Sequence, residues 1–102
     1  MRRWHKPIAL SKLNSAHVPD NPGVFVLLED EARLNSVLKI ASARSLKAAF
    51  LRELDPAPED YMTARAAAMM YFETWSDVAE AERLLNEYRR RNGRNPVLNS
   101  PY

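Results

Sequence analysis

Asn21-Pro22-Gly23-Val24-Phe25-Val26-Leu27-Leu28, followed after a polar link by Val37-Leu38-Lys39-Ile40-Ala41-Ser42-Ala43-Arg44-Ser45-Leu46, is the stretch that decides how this chain folds. Val24 to Leu28 is a continuous apolar run between Pro-Gly and Glu-Asp. It is too short for a helix and has the pattern of a strand covered on both faces. The residues before it, Pro19 to Gly23, supply turn dihedrals. Ser36 to Ala41 reads as a second short strand. Ala43 to Leu54 then sets Leu46, Ala49, Phe50 and Leu54 at helical spacing, and Pro56 stops the helix.

Working outward, Asp77 to Arg91 is the clearest helix. Val78, Ala81, Leu85 and Tyr88 recur at three- and four-residue steps, and Glu87 and Arg91 stand one turn apart. Ser76 is the expected N-cap and Gly93 the expected C-terminal stop. Between the helices, residues 63–74 pull two ways. Thr63 to Met70 is built of strong helix formers, whereas Met69 to Trp75 favours a strand. Residues 1–18 form a basic arm without a period, and the end of the chain carries two prolines and is expected to be extended.

Composition narrows the function classes. The 102 residues suit one small domain, and with 46% hydrophobic and 27% charged residues the usage is that of a globular protein. No apolar run approaches the roughly 20 residues that span a bilayer, so no membrane association is expected. The absence of cysteine excludes disulfides, thiol catalysis and cysteine-ligated zinc, and it fits a reducing compartment. The basic first residues lack an apolar segment and a small-residue cleavage site, so no signal peptide is expected and the cytoplasm is the expected location. The net charge of +2 permits nucleic-acid binding without diagnosing it. Its distribution is more informative. Arg2, Arg3, Lys6 and Lys12 lie early and Arg89, Arg90, Arg91 and Arg94 lie late, with acidic residues between them.

The order and spacing of these pieces resemble the GIY-YIG endonuclease superfamily. Gly23-Val24-Phe25, preceded by Pro22, matches the first family motif, and Lys39-Ile40-Ala41 falls on the second. Ala43-Arg44-Ser45-Leu46 follows the family framework, Ala81 to Leu85 matches the helix that carries the acidic metal ligand, and Pro96 to Asn99 matches the closing proline and asparagine. The resemblance covers about residues 19–99, leaving 1–18 as the arm and 100–102 as a C-terminal tail. It implies an α+β fold in the order β-β-α-α-β-α, with a small three-stranded, mainly antiparallel sheet flanked by helices. It also asks for a short helix ending near Ala67 and a strand over Met69 to Thr74.

The departures from the family pattern are chemical. The resemblance implies two tyrosines and an arginine around the scissile phosphate and a glutamate on a divalent cation. Here those positions hold Phe25, Lys39 and Ala49, and only Glu82 is retained as a metal ligand. Phe25 keeps the ring and loses the hydroxyl, so it cannot relay a proton. Losing a positioned general base typically costs about 10²- to 10⁴-fold, and losing one electrostatic donor about 10²- to 10³-fold. The resemblance therefore implies a catalytically degenerate domain that acts by binding, most readily nucleic acid, DNA or RNA, through Lys39, Arg44, Arg89, Arg90, Arg91 and Arg94. Pro22, Gly23 and Asn99 are then structural, and no cofactor is required. Mg²⁺ or Mn²⁺ enters only with residual cleavage.

Each of these residues also has an ordinary role open to it. Glu82 on the flank of an amphipathic helix is commonly solvated, Phe25 is simplest as core, and Lys39 guards a sheet edge as readily as it meets phosphate. The late arginines complement the helix dipole. His5 and His17 stand twelve residues apart without acidic or cysteine companions, and Trp4 is expected to clamp the arm onto the domain. Two alternative functions follow. One is a protein-interaction or regulatory module, including self-association as a homodimer, and the other is a divergent metal-dependent endonuclease.

Overall fold

A computed structural model describes residues 4–54 and 66–99. Strand β2 (Gly23–Leu28) lies inside the sheet and every one of its residues is buried. Its run is continuously apolar because both faces are covered. Phe25 and Leu27 pack with Leu46, Ala49 and Phe50, whereas Val24, Val26 and Leu28 pack with Ala81 and the half-buried Leu84, Leu85 and Tyr88. The first set of partners belongs to helix α1 (Leu46–Leu54) and the second to helix α2 (Asp77–Asn92). The helices therefore sandwich the sheet, and alternate residues of β2 serve two cores.

The sheet has four antiparallel strands rather than the three expected, in the order β1-β4-β2-β3. β3 (Val37–Ala43) and β4 (Ala68–Glu73) flank β2. The additional strand β1 (Ile8–Ala9) comes from the arm and pairs with Met69 and Ala68 of β4. Main-chain bonds from His5 to the Tyr71 carbonyl (2.7 Å) and from Leu10 to the Ala67 carbonyl (3.0 Å) extend that attachment. A two-residue strand carries no alternation to read in a sequence. It exists because the outer edge of β4 offers main-chain groups that need partners.

Several boundaries differ from the sequence expectation, each for a local reason. β3 continues to Ala43 and α1 begins only at Leu46, since Ser45 caps the helix by accepting from the Ala48 N–H (3.1 Å) and donating to Asp20. Ser76 occupies the N-cap position of α2 but its side chain makes no capping bond. Gly93 ends α2 as expected, at φ 75° with its N–H on the Arg89 carbonyl. Residues 68–73 resolve the competition between propensities in favour of the strand, because β2 supplies the pairing partner along its whole length. The short helix expected before Ala67 falls largely on residues outside those described, and Ala66 and Ala67 belong to no regular element.

Gly23 sits where β2, β4 and α1 meet. A β-carbon there would collide with the Phe72 carbonyl oxygen and lie 2.7 Å from Leu46 Cδ1, so only glycine permits this approach. β3 carries a bulge. Leu27 pairs with Lys39 but Leu28 pairs with Val37, which leaves Leu38 unopposed and turns it towards the α1 core.

Candidate functional site: the outer edge of β3

β3 is an edge strand, and the chain's own closing segment covers part of its outer side. The Leu98 N–H donates to the Leu38 carbonyl at 2.8 Å. The Asn99 side chain donates to the Ile40 carbonyl at 2.8 Å and accepts from the Ile40 N–H at 2.9 Å. Buried Pro96 anchors this return. Asn99 thus satisfies the edge of β3 as a neighbouring strand would.

Beside this edge, a groove of about 320 Å³ runs between β3 and α2, lined by Ile40, Leu84, Glu87, Tyr88, Arg91 and Asn92. The carboxylate in it belongs to Glu87, which lies 3.7 Å from Arg83 and 3.8 Å from Arg91. Glu82 is exposed and does not line the groove. Among the described residues, no group of three or more His, Asp or Glu side chains is placed to hold a metal ion. The two guanidiniums beside Glu87 compete with a cation for that carboxylate.

The cationic candidates fall into two groups. Arg44 leaves the end of β3 with 79% of its side chain exposed, yet it donates at 3.2 Å to Asp77, a carboxylate only 4% exposed at the start of α2. Water covers most of the guanidinium while burial holds the aspartate, so this contact anchors α2 to the sheet more than it neutralises Arg44. In the last turn of α2, Arg89 bonds the Asn95 side chain at 3.0 Å and Arg91 pairs with Glu87. Arg90 and Arg94 are exposed and have no ion-pair partner among the described residues. Lys39 is half-buried on the same side of the sheet as Leu27, its partner in register. Phe25 and Ala49 lie within the α1-side core, 5% and 6% exposed.

No protein-family model matches this sequence, and no curated protein matches it. Solved structures do match. The magnesium-bound GIY-YIG N-terminal endonuclease domain of UvrC from Thermotoga maritima superimposes with a TM-score of 0.58 at 18% identity, over 87% of this chain and 94% of that one. A tyrosine-to-phenylalanine variant of the same domain, also bound to its catalytic divalent cation, gives 0.57 at 18% identity over 87% and 93%. An asparagine-to-alanine variant gives 0.57 at 16% identity over the same shares. The fold is that of a GIY-YIG domain.

On the GIY-YIG fold, the two motif segments become β2 and β3, side by side. Phe25 and Ala49 meet in one core cluster, Lys39 stands on the same face one strand over and one register step along, and Glu82 lies on the helix across the sheet. Neither Phe25 nor Lys39 lines the β3 groove or the cleft at the opposite edge of the sheet. Two features escaped the sequence. The choice between Glu87 and Glu82 depends on the rotation of α2, which places Glu87 in the groove. His5, His17 and Tyr71 meet at the far edge of the sheet, in a second cleft for which no sequence signal existed.

Tyr71 is itself perturbed. Burial raises its pKa above the ordinary phenol value, and the carboxylate of Glu73 adds to the rise. Its hydroxyl donates to the His17 carbonyl at 3.3 Å, so the phenol is held neutral as a donor.

Proposed function

We propose that this chain is a nucleic-acid-binding domain that keeps a GIY-YIG scaffold without the cleavage chemistry usual to that fold. The burial of Phe25 and Ala49 carries the reading. These are the positions at which the family resemblance implies a phenol and a guanidinium next to the scissile phosphate, and both are packed hydrocarbon. The catalytic magnesium belongs to the Thermotoga domain. Here Glu82 projects into solvent with no convergent donor group among the described residues, and Glu87 is engaged by arginines. Binding asks for less. Arg44, Arg90, Arg91 and Arg94 are exposed cations on one continuous chemistry, phosphate contact, which needs no reactive group.

Filter binding of duplex and single-stranded DNA and RNA at two salt concentrations tests this. Affinity is expected to fall steeply with salt, and Arg90→Ala/Arg94→Ala to weaken all sequences alike and to lower the log-log salt slope on duplex by about 2. The reading fails if low salt gives no binding, or if Mg²⁺ or Mn²⁺ supports nicking that Glu82→Ala abolishes, which is the signature of the divergent nuclease.

A second reading, a protein-interaction module, is favoured by one observation. Trp75 is 82% exposed and Val78 61% exposed, one turn apart at the entry to α2. A complex or homodimer formed there is expected to persist at high salt, because apolar burial is not screened.

A further inference from the structure

A second cleft lies at the sheet edge opposite the β3 groove, where the N-terminal segment crosses β4. Its volume is about 530 Å³, within the range of about 300 to 1,000 Å³ typical of small-ligand sites. The segment straddles that edge. Trp4 packs edge-on against Phe72 on the α2 side, at 4.6 Å between centroids and 80° between planes. His5 stacks on Tyr71 on the α1 side, at 4.6 Å and 9°. The main-chain bond from His5 to the Tyr71 carbonyl fixes the crossing. The rings of neighbouring residues thus flank one opening, with Lys6 beside them and His17 on the opposite wall.

The polar groups divide by sign. Lys6 supplies a cation, and His5 and His17 supply imidazoles. At one end Glu73 receives the Asn21 amide on Oε1 at 2.7 Å, and its Oε2 has no partner among the described residues. An exposed imidazole ring, a cation and an oriented carboxylate match three parts of one ligand. A heteroaromatic ring stacks on the His5 imidazole, a phosphate meets Lys6, and an exocyclic amine donates to Glu73. A bare anion would leave the rings unused and meet Glu73 unfavourably. An apolar ligand would leave Lys6 and Glu73 unpaired.

We propose that this cleft binds a nucleoside 5′-monophosphate group with an amino-bearing base, as a free nucleotide or as the phosphorylated end of a strand. The site is independent of the arginines of α2, since it lies across the sheet from them.

The test uses the full chain carrying Trp75→Phe, which removes the exposed indole and leaves Trp4 as the only tryptophan. Trp4 fluorescence is titrated with AMP, CMP, UMP, the matching nucleosides, inorganic phosphate, and short oligonucleotides with and without a 5′-phosphate. Saturable binding is expected to be tighter for AMP and CMP than for UMP, and tighter than for nucleoside or phosphate alone. Lys6→Ala, at an exposed position, is expected to weaken AMP about tenfold while leaving adenosine unchanged. Tighter binding of phosphorylated oligonucleotides assigns the cleft to strand ends, and equal binding assigns it to free nucleotides. No saturable response, phosphate binding as well as AMP, or a Lys6→Ala variant that binds AMP normally would overturn the proposal. Retained nucleotide binding in Arg90→Ala/Arg94→Ala separates this site from the phosphate-binding surface.

Discussion

Asn99 bonds both main-chain groups of Ile40, donating to its carbonyl at 2.8 Å and accepting from its N–H at 2.9 Å. The pair is partly buried and closes the outer edge of β3 with a single side chain. Asn99→Ala would leave Ile40 with two unmet groups, at a cost of about 1 to 3 kcal/mol. For a domain of this size that lowers Tm by roughly 4 to 8 °C per kcal/mol, measurable by circular dichroism. Asn99→Asp is expected to retain the acceptor and lose the donor, giving an intermediate Tm. An unchanged melt in both variants would remove the edge-closing role.

Gly23→Ala is expected to be more damaging than its single methyl suggests. The added carbon meets the backbone of β4, which cannot rotate away, as well as the Leu46 side chain. Overpacking of this kind typically costs about 1 to 3 kcal/mol, occasionally more, and chemical denaturation should place this variant at the upper end. A loss below about 0.5 kcal/mol would show that β2 and β4 can separate locally.

Phe25→Tyr restores a hydroxyl at the position where the family resemblance implies one. Phe25 is enclosed by the α1-side core, so the new hydroxyl must be buried without an evident partner, at about 1 to 3 kcal/mol. The variant is expected to melt earlier and to show no metal-dependent nicking. Nicking gained by this one substitution would mean that the core opens towards substrate.

Tyr71 predicts a specific alkaline sensitivity. Burial and Glu73 raise its pKa in the folded state above the unfolded value of 10.0. Its contribution is therefore fully present below pH 10 and is lost as pH rises through the folded pKa, because the unfolded chain releases the proton first. Stability measured by urea titration should fall more steeply above pH 10 in the parent than in Tyr71→Phe. Parallel curves would rule out Tyr71 as the source.

The legible parts of this fold were local. Val24 to Leu28 displayed two-sided burial in its unbroken apolar run, and Ala81, Leu85 and Tyr88 displayed the inner face of α2 in their spacing, whereas Val78 of the same series is exposed. Gly93 announced the helix end through the backbone freedom it alone has. Together with the motif order, these residues were enough to specify a GIY-YIG-like α+β sandwich.

What remained hidden depended on partners distant in sequence. Ile8 and Ala9 become a strand only because β4 is there to pair with them, and Leu38 turns to the α1 core only because the bulge moves it. Glu82 and Glu87 differ by five residues, which on a helix is about 140° of rotation, so packing against the sheet chooses which carboxylate faces the groove. His5 and Tyr71 are 66 positions apart in the chain and 4.6 Å apart in space. Periodicity reports which face of an element is apolar, and it is silent on which surface groups meet when elements dock. The sequence alone therefore determined the scaffold, whereas the tertiary structure decided where the charges and rings converge.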